Sequence, residues 1–169
     1  MSMIAQSMLP EYQHEMASTR RALERLPDAA WSWKPHAKSM SLGELASHIA
    51  AIPGWGEITM KLDVFELPAG YAPPTFANKA EVLAAFDNGV KACEAALAAT
   101  TDAAMMAEWR MVMGGREIMK MPRVVVMRSM IFNHLYHHRG QLTVYLRLKD
   151  VPVPSIYGPS ADEGQMGGA

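Results

Sequence analysis

The chain has 169 residues, half of them hydrophobic, with 16 basic and 17 acidic side chains and a formal net charge of −1. That length suits one domain, taken as 1–169, with a single sizeable core, and the scattered, balanced charge excludes the basic stripe of a nucleic-acid binder. A lone cysteine, Cys93, excludes an intrachain disulfide and a cysteine-based zinc site, and no apolar run approaches the ~20 residues of a membrane span.

The opening MSMIAQSMLPEYQHEM combines a proline with acidic residues and lacks the basic start and apolar stretch of a secretion signal, so a cytoplasmic location is expected. The first predicted helix spans Ile4 to Leu26, with Met8, Tyr12, Met16, Leu23 and Leu26 forming a loose apolar stripe. PDAAWSWKPHAKSM follows as an ordered loop with two tryptophans and two prolines. Ser41 and Glu44 make a capping box that starts the second helix, which runs through His48 and Pro53-Gly54 to Leu62. A proline- and glycine-rich loop, Glu66 to Phe76, separates it from the third helix, Asn78 to Ala99. There Asn78 is the N-cap, and Val82, Phe86, Val90, Cys93 and Leu97 share one face. Alternation around Gly114-Gly115 predicts a short hairpin. A fourth helix begins near Pro122, continues to Leu148 and stops before Pro152 and Pro154; the tail, 160–169, is expected to be loose. The expected fold is therefore all-α, a four-helix bundle with a short β-hairpin between helices three and four. The fifteen methionines read as plastic core filling.

FNHLYHHRGQL, from Phe132 to Leu142, concentrates three of the six histidines in five positions. On a helix His134 and His138 lie about 40° apart in projection, close enough for two imidazoles to reach one metal ion. Gln141 and Tyr145 continue the same stripe, while His137 falls toward its edge and reads as a supporting or surface residue. A stripe that faces a core needs partners for so many polar groups. A third ligand must come from another helix, and His48, flanked by Leu45, Ile49 and Ile52, is the best placed. His14 and His36 are less well placed, one on the first helix and the other in the Trp-Pro loop.

SLGELASHIAAIPGW together with NHLYHHRGQLTVYLRLKDVPVPSIYGPSADE resembles the DinB family of bacterial metal-binding helical proteins. The closing run is the more specific part: His134, His138, Arg139, Gly140 and Gln141, then Tyr145, Leu146 and Arg147, then Pro154 and Tyr157-Gly158-Pro159. The resemblance covers nearly the whole chain. It implies a four-helix bundle, a divalent metal such as zinc or nickel held by His48, His134 and His138 with water completing the shell, and a homodimer. It also implies that thiol-dependent transferases are among the relatives, without fixing an activity for this chain.

Two function classes stay open. One is a metal-dependent enzyme acting on a small-molecule substrate, either a hydrolase or a transferase using a metal-activated thiol. The other is a non-catalytic bundle whose ion is structural or tied to stress. Three residues are candidates for catalysis, and each has a second reading. Gln141 orients water or substrate, or only satisfies a buried group. Tyr145 donates a proton, or supplies a structural hydroxyl. Arg139 anchors an anionic substrate, or pairs with a carboxylate.

Overall fold

The computed structural model describes residues 2–164. Helix α1 (Met3–Glu24) is capped by Ser2, whose hydroxyl accepts from the Ala5 amide at 3.0 Å. Helix α2 (Leu42–Lys61) begins with the expected capping box: the Glu44 amide donates to Ser41 Oγ at 3.1 Å, and the Ser41 amide donates to Glu44 Oε2 at 2.6 Å. It passes through Pro53 without ending. Helix α3 (Lys79–Ala99) starts at Asn78, whose Oδ1 accepts from the Glu81 amide at 3.0 Å. A short α4 (Asp102–Met106) follows. The last helical rod is composite, with α5 (Arg123–Val126), a π-helical segment (Met127–Asn133) and α6 (His134–Leu148) in unbroken succession.

Amphipathic patterning brings these helices together. α2 packs along α3, α1 lies on α3, and α6 lies on α2 and α1. Tyr12 and Met16 of α1, Leu45 and Ile49 of α2, Phe86 and Cys93 of α3, and Leu135 and Leu142 of α6 meet in one core. Each large apolar side chain buried this way stabilises the fold by roughly 1.5–3 kcal/mol before chain entropy is counted. No helix among the described residues is long and apolar enough to cross a membrane.

The all-α expectation is corrected by a three-stranded sheet ordered β1-β2-β3. Strands β2 (Glu108–Met113) and β3 (Arg116–Pro122) are the predicted hairpin. Gly114 and Gly115 both have positive φ, 56° and 78°, as a tight two-residue hairpin turn demands. Strand β1 (Val64–Leu67) lies in what reads as the start of a loop, and it pairs parallel to β2. Four residues carry too little alternation to be distinguished from loop, and the pairing partner is more than forty residues away. Pro122 ends β3 and precedes the helix as its N-cap rather than filling its first turn.

Of the tail expected to be loose, residues 160–164 are described, and Asp162 and Glu163 contact the rest of the chain. Asp162 accepts from the Val153 amide at 2.8 Å and pairs with Arg147, while Glu163 pairs with Arg25. Residues 165–169 of that expectation lie outside the described residues.

Candidate metal centre

His48 sits one turn beyond Glu44 on α2, half-buried beside the core residues Leu45 and Ile49. His134 opens α6 immediately after the π segment, and His138 follows one turn later. One nitrogen from each ring lies within 4.8 Å of the others. The closest approach is between Nε2 of His48 and Nε2 of His134, 3.1 Å. Two nitrogens bound to one zinc ion at ~2.0–2.1 Å in tetrahedral geometry stand about 3.3 Å apart, so this separation fits a shared ion.

The hydrogen bonds at the far side of the rings fix two tautomers. His134 Nδ1 lies 3.3 Å from the Met130 carbonyl, which can only accept, so this nitrogen carries the proton and Nε2 keeps its lone pair. His138 Nδ1 donates likewise to Gln141 Oε1 at 2.8 Å. Both arrangements are the outer support typical of metal-bound histidine. His48 Nδ1 is buried without a partner among the described residues. If it holds the His48 proton, two lone pairs face each other across 3.1 Å, and a cation between them removes the repulsion. The donor set therefore fits a divalent metal ion.

All three imidazoles are biased toward the neutral form that ligation requires. Burial pushes His48 down to about 4, reinforced by the neighbouring His138 and His134. Burial also lowers His134, with His138 contributing. For His138 burial lowers the pKa, and the bond to Gln141 opposes it.

Among the predicted residues, the structure brings together His48, His134, His138 and Gln141. Arg139 points elsewhere. It is 2% exposed, and its Nη2 meets Glu15 Oε2 of α1 at 2.6 Å and the Tyr157 hydroxyl at 2.6 Å, while Nη1 meets Thr19 Oγ1 at 3.2 Å. Tyr145 donates to the Met40 carbonyl at 3.2 Å and packs edge-on against Trp33, which ties α6 to the loop before α2. Arg139 is thus paired with a carboxylate, and the Tyr145 hydroxyl is bonded to the backbone of the loop before α2. His137 is exposed and lies edge-to-face with His138 at 4.8 Å between centroids, His14 and His36 are exposed, and none of the three is in the cluster. Cys93 is buried and its thiol pKa is pushed up to about 11, as an inert core residue requires.

Trp55 also belongs to the site. Its ring stacks on His134 at 5.7 Å between centroids and meets His48 edge-on at 5.4 Å. The available signal was spacing: Trp55 lies seven residues, about two turns, beyond His48 and shares its face. A cleft of about 390 Å3 opens at His48 between the segments Lys38–Met40 and Ala72–Thr75. A larger concavity, about 700 Å3, lies along α2 and α3 around Lys61, Lys91 and Ala96 and includes none of the three histidines.

Comparison with known proteins gives a consistent picture. The model of the DinB family matches residues 1–167. The Bacillus subtilis protein YrdA, itself uncharacterized, is 31% identical over 159 residues, spanning 92% of this chain and 89% of its own. A DinB-like protein of Bacillus cereus superposes with a TM-score of 0.69 at 24% identity, covering 90% of this chain and 97% of that one. The DinB-like protein YjoA of Bacillus subtilis gives 0.66 at 17% identity, with 95% and 99% covered. At these identities the two structures speak for the fold.

Proposed function

The chain belongs to the DinB family, and from that membership and the site geometry we propose that it is a divalent-metal enzyme. In this reading His48, His134 and His138 hold zinc or nickel, and the site serves thiol-dependent S-transfer or hydrolysis of a small molecule. The four long helical segments then form the family's four-helix bundle around the site, and two copies pair as a homodimer. One observation carries the proposal: three imidazoles converge beside an open cleft, and no fourth histidine, cysteine or carboxylate joins them among the described residues. Structural zinc sites generally close with four protein ligands, whereas catalytic ones keep a position free.

Bound there, a divalent ion supplies Lewis acidity and lowers the pKa of a coordinated water or thiol. The chain's own residues do the rest. Met130 and Gln141 hold the Nδ1 protons of His134 and His138 away from the ion's side of the rings. Trp55 stacks on His134 and meets His48 edge-on, an apolar wall beside both rings. The cleft at His48 gives a substrate its approach.

One observation favours the second reading, a non-catalytic metal-binding bundle. The carboxylates of α2 nearest His48 in sequence are committed, Glu44 to the capping box and Lys34, Glu57 to Lys61, so neither is free for acid–base work. Protein stripped by chelator and reloaded with zinc or nickel, assayed against thiol-transfer and hydrolase substrate panels, separates the two. Turnover in loaded wild type that is lost in the stripped protein and in His48→Ala supports the enzyme. A loaded protein inert toward both panels while retaining stoichiometric ion supports the bundle.

A further inference from the structure

The walls of the cleft at His48 are anchored on both sides. On one side the loop before α2 is pinned by the Leu42 amide to the Trp33 carbonyl at 2.9 Å and turns at His36–Ser39 through a 3.0 Å backbone bond. The Lys38 amide also donates to His36 Nδ1 at 3.2 Å. On the other side Pro73 and Pro74 stiffen the backbone, and the next residues are tied down. The Phe76 amide donates to Ser47 Oγ at 2.9 Å, and Trp31 Nε1 donates to the Phe76 carbonyl at 3.0 Å. Ser47 neighbours His48, so the opening is registered to that ligand candidate. Its volume, about 390 Å3, lies in the range of small-molecule sites.

The opening is lined by one acid, Glu44, and one base, Lys38, and they differ in their partners. Glu44 spends its carboxylate on the Ser41 amide and on Lys34 at 3.3 Å. Lys38 makes no ion pair among the described residues and lines the same space as His48. Met40, Pro73 and Pro74 supply apolar surface between them.

We propose that this cleft is the entrance to the histidine site and that Lys38 selects there a small substrate bearing an anionic group, such as a carboxylate, on a short apolar stem. The proposal rests on the reading of the cluster as an open metal site. Lys38 acts as a specificity residue: it recognises the distal charge and takes no part in the chemistry.

Calorimetric titration of the zinc-loaded full chain with two hydroxamates tests this. One probe is acetohydroxamate, whose tail is neutral; the other is the monohydroxamate of succinate, whose tail is a carboxylate. Wild type is expected to bind the carboxylate probe about 2–5-fold tighter, the range for an exposed charge pair. Lys38→Ala should equalise the two, Lys38→Glu should reverse the preference, and Lys38→Arg should retain it. Acetohydroxamate should bind all four proteins alike. Equal affinity of wild type for both probes overturns the assignment of Lys38 while leaving the open metal site standing. Equal weakening of both probes by Lys38→Ala also overturns it, because that pattern marks a loop effect. Failure of both probes to bind zinc-loaded wild type overturns the open metal site itself, and the entrance with it.

Discussion

Gln141 shows how a single residue shapes this centre. Its Oε1 accepts the Nδ1 proton of His138 at 2.8 Å, which orients the ring and leaves the Nε2 lone pair available. Loss of such outer support lowers metal affinity by about 10–100-fold in comparable sites. Gln141→Leu should weaken zinc binding by that amount in competition with a chromophoric chelator, and Gln141→Glu, which keeps an acceptor, should restore most of it. Unchanged affinity in Gln141→Leu would show the amide to be idle. The three histidines themselves were readable from the chain, because a four-residue spacing on a helix and an inward histidine on a second helix are local patterns. The fates of Arg139 and Tyr145 were not. Their partners, Glu15 with Thr19 and the Met40 carbonyl, lie more than a hundred positions away, and nothing in the immediate sequence distinguishes a buried anchor from a substrate contact.

Among the elements, the joint between α1, α6 and the C-terminal segment depends on Arg139. Its guanidinium is buried against Glu15, itself buried, and the Tyr157 hydroxyl bridges both by donating to Glu15 at 2.9 Å. Removing one partner strands the other charge, which costs about 3–5 kcal/mol for buried pairs. Arg139→Met should lower the urea unfolding free energy of the metal-free protein by that amount without changing metal stoichiometry. Arg20→Ala, which breaks an exposed pair with Asp87, should cost less than ~1 kcal/mol. An Arg139→Met loss no larger than that of Arg20→Ala would contradict the joint. Arg123 plays a related part. It donates to the Thr59 carbonyl at 2.8 Å and the Leu62 carbonyl at 3.0 Å, satisfying acceptors at the end of α2. Helix existence was legible from apolar periodicity and caps such as Ser41 and Asn78. The π segment before His134 was not, since its widened turn is a tertiary adjustment and MRSMIFN scans as ordinary helix.

At the scale of the whole molecule, pH and assembly follow from burial. His48 is held near 4, and His134 and His138 are also lowered, against about 6.5 in an unfolded chain. Between those values the unfolded state binds more protons. Stability of the metal-free protein should therefore be fully present above pH ~6.5 and fall as pH drops toward ~4. Urea midpoints measured at intervals over that range should show the decline, and His48→Gln should flatten part of it; a wild-type midpoint constant from pH 7 to 5 would contradict the argument. Val125 of α5 and Val144 and Leu148 of α6 leave apolar side chains about half exposed on the last helical rod. Such surface suits a two-fold contact of helix on helix, the assembly proposed above. Light scattering at micromolar concentration should give twice the 18.6 kDa chain mass, and a clean monomer mass would refute the pairing.

The central claim, that His48, His134 and His138 jointly hold one divalent ion, is tested most directly by metal content. Purified wild type, loaded with zinc and dialysed, is measured by plasma mass spectrometry beside six single histidine-to-alanine variants. The account predicts about one ion per chain in wild type, His14→Ala, His36→Ala and His137→Ala. It predicts loss of most of that ion in His48→Ala, His134→Ala and His138→Ala, because two imidazoles seldom hold zinc tightly. Stoichiometric zinc retained by His48→Ala would contradict the three-histidine centre.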